Sequence, residues 1–176
     1  NGFSGLPGGG PDDRVPNWVV APWPPDHLDA LNYQWEIAIN YWKAENKYAD
    51  KRGVDFRFEM HPNFLVYNPE TLIKLREACG ERICANFDPS HLWWQGMDPA
   101  SAVRWLQSKG DVIKHVHAKD VAVYQWNTRV NGVLDTKHYG DEANRSWIFR
   151  SLGYGHGPLE WNELISTLRM CGYDGP

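Results

Sequence analysis

The chain has 176 residues, of which 42% are apolar and 23% charged, the make-up of one globular domain rather than of a disordered or fibrous chain. Its formal charge is -4, with Lys and Arg spread along the sequence. That excludes a strong electrostatic case for nucleic acid, and no run of about 18 apolar residues and no basic-then-apolar leader suggests a membrane span or a signal peptide.

The opening Asn1-Gly-Phe-Ser-Gly-Leu-Pro-Gly-Gly-Gly reads as the tail of a strand entering a glycine-rich loop, and a Pro-rich segment continues to Pro25. Gly8 to Gly10 lack the Lys and Ser or Thr of a phosphate loop. After Asp26, expected as an N-cap, Leu28, Leu31, Trp35, Ala38 and Trp42 recur at steps of three and four and predict an amphipathic helix to about Arg52. Then a unit repeats: strand, loop, Pro-initiated helix, glycine stop. The strand at Val54 to Met60 leads to a helix from Asn68-Pro69 to Gly80, and the strand at Arg82 to Asp88 to a helix from Asp98-Pro99 to Gly110. A third strand, Asp111 to Lys119, is followed by a long irregular stretch from about Val121 to Gly157. A last helix follows Pro158, with Leu164, Ile165 and Leu168 on one face and Gly172 at its end. The whole is expected to be a single α/β domain. Asn1 and Pro176 both read as cut ends, so a partial chain is expected. Cys79, Cys84 and Cys171 lack C-x-x-C spacing. Neither a disulfide framework nor a cysteine metal site is expected, and a reducing cytoplasm is the default compartment.

Side chains alternate between the faces of a strand. Val54, Phe56 and Phe58 oppose Asp55, Arg57 and Glu59, while Ile83, Ala85 and Phe87 oppose Cys84, Asn86 and Asp88; Ile113, His115, His117 and Lys119 share a face. An open doubly wound sheet would show nearly continuous apolar strands. A closed barrel with helices outside and a polar site at the carboxyl ends of its strands explains the alternation better.

Glu59, Asp88 and His117 each close a strand on its polar face and stand 29 residues apart in each case, one strand-helix unit per step. Adjacent parallel strands would bring two carboxylates and an imidazole to one rim, a donor set suited to Mn²⁺, Zn²⁺, Co²⁺ or Mg²⁺. Each alone reads equally as a polar residue meeting solvent. All three in register point to a divalent cation.

Four stretches carry a resemblance: Phe58-Glu59-Met60-His61-Pro62, Asn86-Phe87-Asp88-Pro89-Ser90-His91-Leu92, His115-Val116-His117-Ala118-Lys119-Asp120, and Gly155-His156-Gly157-Pro158-Leu159-Glu160-Trp161 leading to Gly172-Tyr173-Asp174-Gly175. Together they resemble the sugar phosphate isomerase and epimerase group of the xylose-isomerase-like superfamily, which also contains AP endonucleases and inosose dehydratases. The resemblance implies a partial TIM barrel, roughly strands four to seven with their helices, in which Gly2-Phe3-Ser4-Gly5 closes the fourth strand. It implies Glu59, Asp88 and His117 as metal ligands, Glu59 as a proton-moving carboxylate and His91 as a substrate or second-metal contact. It also implies a fourth ligand, a Glu on an eighth strand, beyond Pro176.

By the same reading the activity is isomerisation or epimerisation of a sugar or sugar phosphate through an ene-diolate. The alternatives are a lyase of the inosose dehydratase kind, an AP endonuclease-like hydrolase, which the acidic balance disfavours, and a non-catalytic barrel fragment that self-associates. Exposed sheet edges are usually paired or covered, so a homo-oligomer is expected.

Further pocket candidates are His61, which otherwise shapes the loop before Pro62, and His115, equally a structural residue. Lys119 either pairs with Asp120 or binds a substrate oxygen. Trp23, Trp93 and Trp94 fall in predicted loops where an indole could stack on a sugar ring. The 121–157 stretch follows a rim strand, so it is expected to be functional or mobile. Arg129, His138, Arg145 and Arg150 are available there for a phosphate or carboxylate; solvated surface charge is the simpler reading of each.

Overall fold

The computed structural model describes residues 1–15 and 17–176; Pro16, inside the predicted Pro-rich loop, lies outside the described residues. The chain divides into two compact units, Asn1–Phe87 with Asp111–His115, and Asp88–Gly110 with Val116–Pro176.

In the first unit, α1 runs Asp26–Asp50. Pro25, not Asp26, occupies the cap position, and Asp26 and Asp29 stand in the first turn, where negative charge offsets the helix dipole. The buried face is rotated from the expected one. Trp35 and Ala38 are buried as predicted, but Leu28 is 42% exposed, and the buried set extends to Gln34, Asn46 and Ala49. Asn46 is tolerated there because its Oδ1 accepts the Arg82 backbone N–H at 3.0 Å.

Strand β1 (Phe56–Glu59) pairs in parallel with β2 (Ile83–Phe87), with Glu59 opposite Asn86. Between them lies α2 (Pro69–Cys79), which starts on a capping box: Asn68 accepts the Thr71 N–H, and the Thr71 hydroxyl accepts the Asn68 N–H. Gly2 bridges Phe58 in parallel on the far side of β1, where the sequence placed a strand end. Trp42 packs edge-on against Phe56 and Phe58, so α1 covers the apolar face of β1. All five residues of β2 are buried, including Cys84 and Asn86 from the predicted polar face. Cys79, Cys84 and Cys171 are free thiols.

The second unit holds α3 (Pro89–Trp94), α4 (Pro99–Gln107), β4 (Asp120–Val123), α5 (Gln125–Asn131), β5 (Trp147–Arg150) and α6 (Pro158–Met170). A short β3 (Ile113–Val116) completes the sheet order β1-β2-β3. Helices α4 and α6 pack on each other, and α3 packs on β4. The predicted third strand ends early, and its last residue, Lys119, precedes β4.

The stretch from 121 to 157 is not structureless. Strands β4 and β5 form an antiparallel pair, with Val121 opposite Phe149 and Val123 opposite Trp147, and α5 lies in the connection. Trp94, Val121 and Trp147 form a buried cluster that ties this pair to α3. The expected loop positions of Trp93 and Trp94 are corrected in the same way, since both lie in α3. Among the described residues no helix is long and apolar enough to cross a membrane.

A parallel sheet with helices is consistent with part of a barrel of the TIM type.

Candidate metal centre

Glu59 is the last residue of β1 and only 8% exposed. Asn86, its partner in the ladder, donates Nδ2–H to Glu59 Oε2 at 3.1 Å. A buried amide needs partners; this one fixes the orientation of the carboxylate.

Asp88 lies one residue past β2 and caps α3. Its extended backbone and the Pro at the first helical position set up the cap. Oδ1 accepts the Ser90 N–H at 2.9 Å and the Ser90 hydroxyl at 2.6 Å. The other oxygen, Oδ2, lies 2.7 Å from Lys119 Nζ, 3.6 Å from His91 Nε2 and 3.9 Å from His117 Nδ1. Asp88 and His91 are both 1% exposed, so a charged carboxylate there needs a neighbouring cation, and Lys119 supplies one.

Lys119 Nζ is also 3.2 Å from His91 Nε2. An ammonium group only donates, so that ring nitrogen accepts and the proton of a neutral His91 sits on Nδ1. Phe149 borders both groups: His91 meets it edge-on at 5.3 Å, and Lys119 Nζ stands 4.4 Å over its ring. The negative face of the ring attracts the ammonium.

Asp88 and His117 each offer one ligand atom in the second unit, and Glu59 offers another at the end of β1 in the first. Two carboxylates and an imidazole suit a divalent cation of the Mn, Zn, Co or Mg kind. Asn86 and Ser90 hold the two carboxylates from behind, as outer hydrogen bonds hold ligands in metal sites. The residues present fit such an ion.

The other predicted residues fall elsewhere or have other contacts. His61 Nδ1 bonds the Pro62 carbonyl at 2.6 Å, and its ring meets Phe3 and Phe64 edge-on, which is the loop-shaping alternative. Trp94 is 5% exposed and stacks on Trp147 at 4.4 Å, so its indole packs the core and offers no face to a sugar. Trp93 is half-buried and stacks on His156 at 4.0 Å, while Trp23 is 77% exposed. Arg129 and His138 are exposed, and His138 Nδ1 accepts the Gly140 N–H. Arg150 pairs with Glu142.

Arg145 departs from the expectation of solvated charge: it is 2% exposed, donates to the Trp147 and Lys137 carbonyls, and lies over the Tyr139 and Trp147 rings. Asp120 does not pair with Lys119. It is wholly buried and accepts N–H groups from Gly153, Gly155, His156 and Trp161. Sequence reasoning missed three contributors: Asn86, Ser90 and Phe149. The Asp-Pro-Ser run is a readable cap signal for Ser90; the others depend on tertiary contacts.

The chain is 49% identical over 177 aligned residues to the uncharacterized protein YfiH of Bacillus subtilis, covering 98% of this chain and 56% of YfiH. It is 29% identical over 126 residues to the rhizopine catabolism protein MocC of Rhizobium meliloti, covering 70% of this chain and 35% of MocC. It thus spans about half or less of the length of these relatives. A crystal structure of the probable 3-DHS dehydratase AsbF, involved in petrobactin synthesis in Bacillus anthracis, matches with a TM-score of 0.55 at 17% identity, over 81% of this chain and 49% of that one. That likeness bears on the fold alone. The family described as xylose isomerase-like TIM barrel matches residues 13–176, and the chain belongs to it.

Proposed function

We propose that these residues form part of a metal-dependent isomerase or epimerase that acts on a sugar or sugar phosphate through an ene-diolate. The observation that carries this reading is the pairing of Asp88 Oδ2 with His117 Nδ1 at 3.9 Å, with Glu59 as the further carboxylate that closes β1, in a family of barrels whose sites form at the carboxyl ends of strands. A divalent cation held there would supply Lewis acidity to a substrate carbonyl, and so acidify the neighbouring C–H bond.

Glu59 is the group that takes the proton from that carbon, and Asn86 keeps its carboxylate aimed. Lys119, 37% exposed at its side chain on a flexible stem, moves its ammonium from Asp88 to a substrate oxygen and stabilises the negative charge that develops there. His91 holds a second substrate oxygen. Phe149 keeps water from the pair.

A small carbohydrate substrate, a cytoplasmic setting and self-association through open sheet edges belong to the same proposal. A monomer by light scattering would remove the last of these.

The test is solvent deuterium exchange at the substrate carbon in the whole protein. Wild type with Mn²⁺ should exchange, and Glu59→Gln should lower the rate by at least a factor of about 100. Exchange by the variant at the native rate refutes the assignment of Glu59. Loss of water in place of isomerisation would move the activity to a lyase on the same scaffold.

A further inference from the structure

A second cluster of unusual polar atoms lies in the first unit, among residues that the metal centre does not use. Gln34 of α1 is wholly buried. Its Nε2 donates to the Pro7 carbonyl at 3.0 Å and to the Asn17 carbonyl at 2.7 Å. Two carbonyl partners can be served only by the amide nitrogen, so the side chain cannot be flipped. Its oxygen is therefore fixed as an acceptor, and among the described residues Gln34 Oε1 has no donor. The indole N–H of Trp18 is buried without an acceptor in the same way.

Both residues line one cavity of about 60 Å³, together with Leu31, Trp35, Leu65 and Thr71. The Thr71 hydroxyl is committed to the capping box of α2, and none of the residues lining the cavity is charged. It is a mostly apolar, aromatic-walled space carrying one unmet donor and one unmet acceptor.

We propose that this cavity is a binding site for the end of a small uncharged polyol. A hydroxyl group donates to Gln34 Oε1, and a hydroxyl oxygen accepts from Trp18 Nε1. The C–H groups between lie against Trp18 and Trp35. A water-sized group needs roughly 10–15 Å³ of such space, so the cavity admits a fragment of a few heavy atoms, the size of ethylene glycol or one end of glycerol. An ionised ligand is disfavoured because none of the residues lining the cavity is charged.

The experiment is a glycerol titration of the whole protein carrying ¹⁵N-labelled tryptophan. The Trp18 indole resonance is identified by its absence in Trp18→Phe. The expected result is a saturable shift of that resonance, with a midpoint on the order of 1–100 mM for so small a ligand, while the indole of exposed Trp126 does not move. Leu31→Phe, which fills the cavity with an apolar ring and spares both polar groups, should abolish the shift in a folded protein. A shift that rises linearly without saturating, or one that persists in Leu31→Phe, overturns the proposal. So does a crystal soaked in glycerol that shows only water at Gln34 Oε1.

Discussion

Replacing Asp120 with Asn tests the tightest polar arrangement in the second unit. The carboxylate is wholly buried. It accepts the Val121 N–H at 2.7 Å, the Gly153 and Gly155 N–H groups at 3.0 Å, the His156 N–H at 3.0 Å, His156 Nδ1 at 2.8 Å and Trp161 Nε1 at 3.1 Å. Burial pushes the carboxyl pKa up, but the hydrogen bonds from His156, Trp161 and Gly155 outweigh it and hold the group at about 2, below its ordinary 3.8.

That difference corresponds to about 2 kcal/mol of stability for the ionised form. Because the folded value is depressed, this contribution is complete above the unfolded pKa near 4 and is lost as pH falls through about 2. Asn also turns an NH₂ toward N–H donors and leaves at least one of them unmet, which brings the cost at pH 7 to about 3–5 kcal/mol. With a urea slope of about 2 kcal/mol per molar, the unfolding midpoint should fall by roughly 2 M. The gap between wild type and Asp120→Asn should narrow from pH 5 to pH 3. A midpoint within about 0.2 M of wild type, or a gap independent of pH, would refute this account of the loop from Gly153 to Trp161.

Lys119→Met removes the ammonium 2.7 Å from Asp88 Oδ2 and leaves a buried carboxylate without its cation. The metal-free protein should melt several degrees lower, while Mn²⁺ should bind about 3–10-fold more tightly in a calorimetric titration, because the competing charge is gone; weaker Mn²⁺ binding would contradict the arrangement. Trp94→Ala should cost about 3–5 kcal/mol and remove near-ultraviolet dichroism from the Trp94–Trp147 stack, and a loss below about 1 kcal/mol would show that the cluster contributes little. Gly155→Ala would place a Cβ 2.2 Å from the Val121 carbonyl oxygen, so its melting temperature should fall with that of Asp120→Asn, since both break the same loop.

The sequence showed the repeat most clearly. Pro69, Pro99 and Pro158 each sit at the first turn of a helix behind a residue in extended conformation, and these local signals survive any tertiary context. The step of 29 residues between Glu59, Asp88 and His117 was readable because the strand-helix unit itself repeats at that length. Where tertiary contacts decide, local reading failed. Lys119 and Asp120 are adjacent and of opposite charge, so pairing them was the local answer, yet successive side chains diverge and each found a distant partner. The 121–157 stretch has no clean alternation; it is ordered by Trp147, Phe149 and the buried Arg145, whose partners are carbonyls and rings scattered along the segment. Trp94 carried no sign of its burial, which depends on a stacking partner more than fifty residues away.

The cap on α3 limits how Asp88 can bind an ion. One of its oxygens is committed to Ser90 by two hydrogen bonds, so chelation through both oxygens would unfasten the first turn of the helix that carries His91. Asp88 is therefore confined to a single-point grip. A cation bound there would take one oxygen from Asp88 and leave to Ser90 the other, so that the cap and the helix carrying His91 would stay in place.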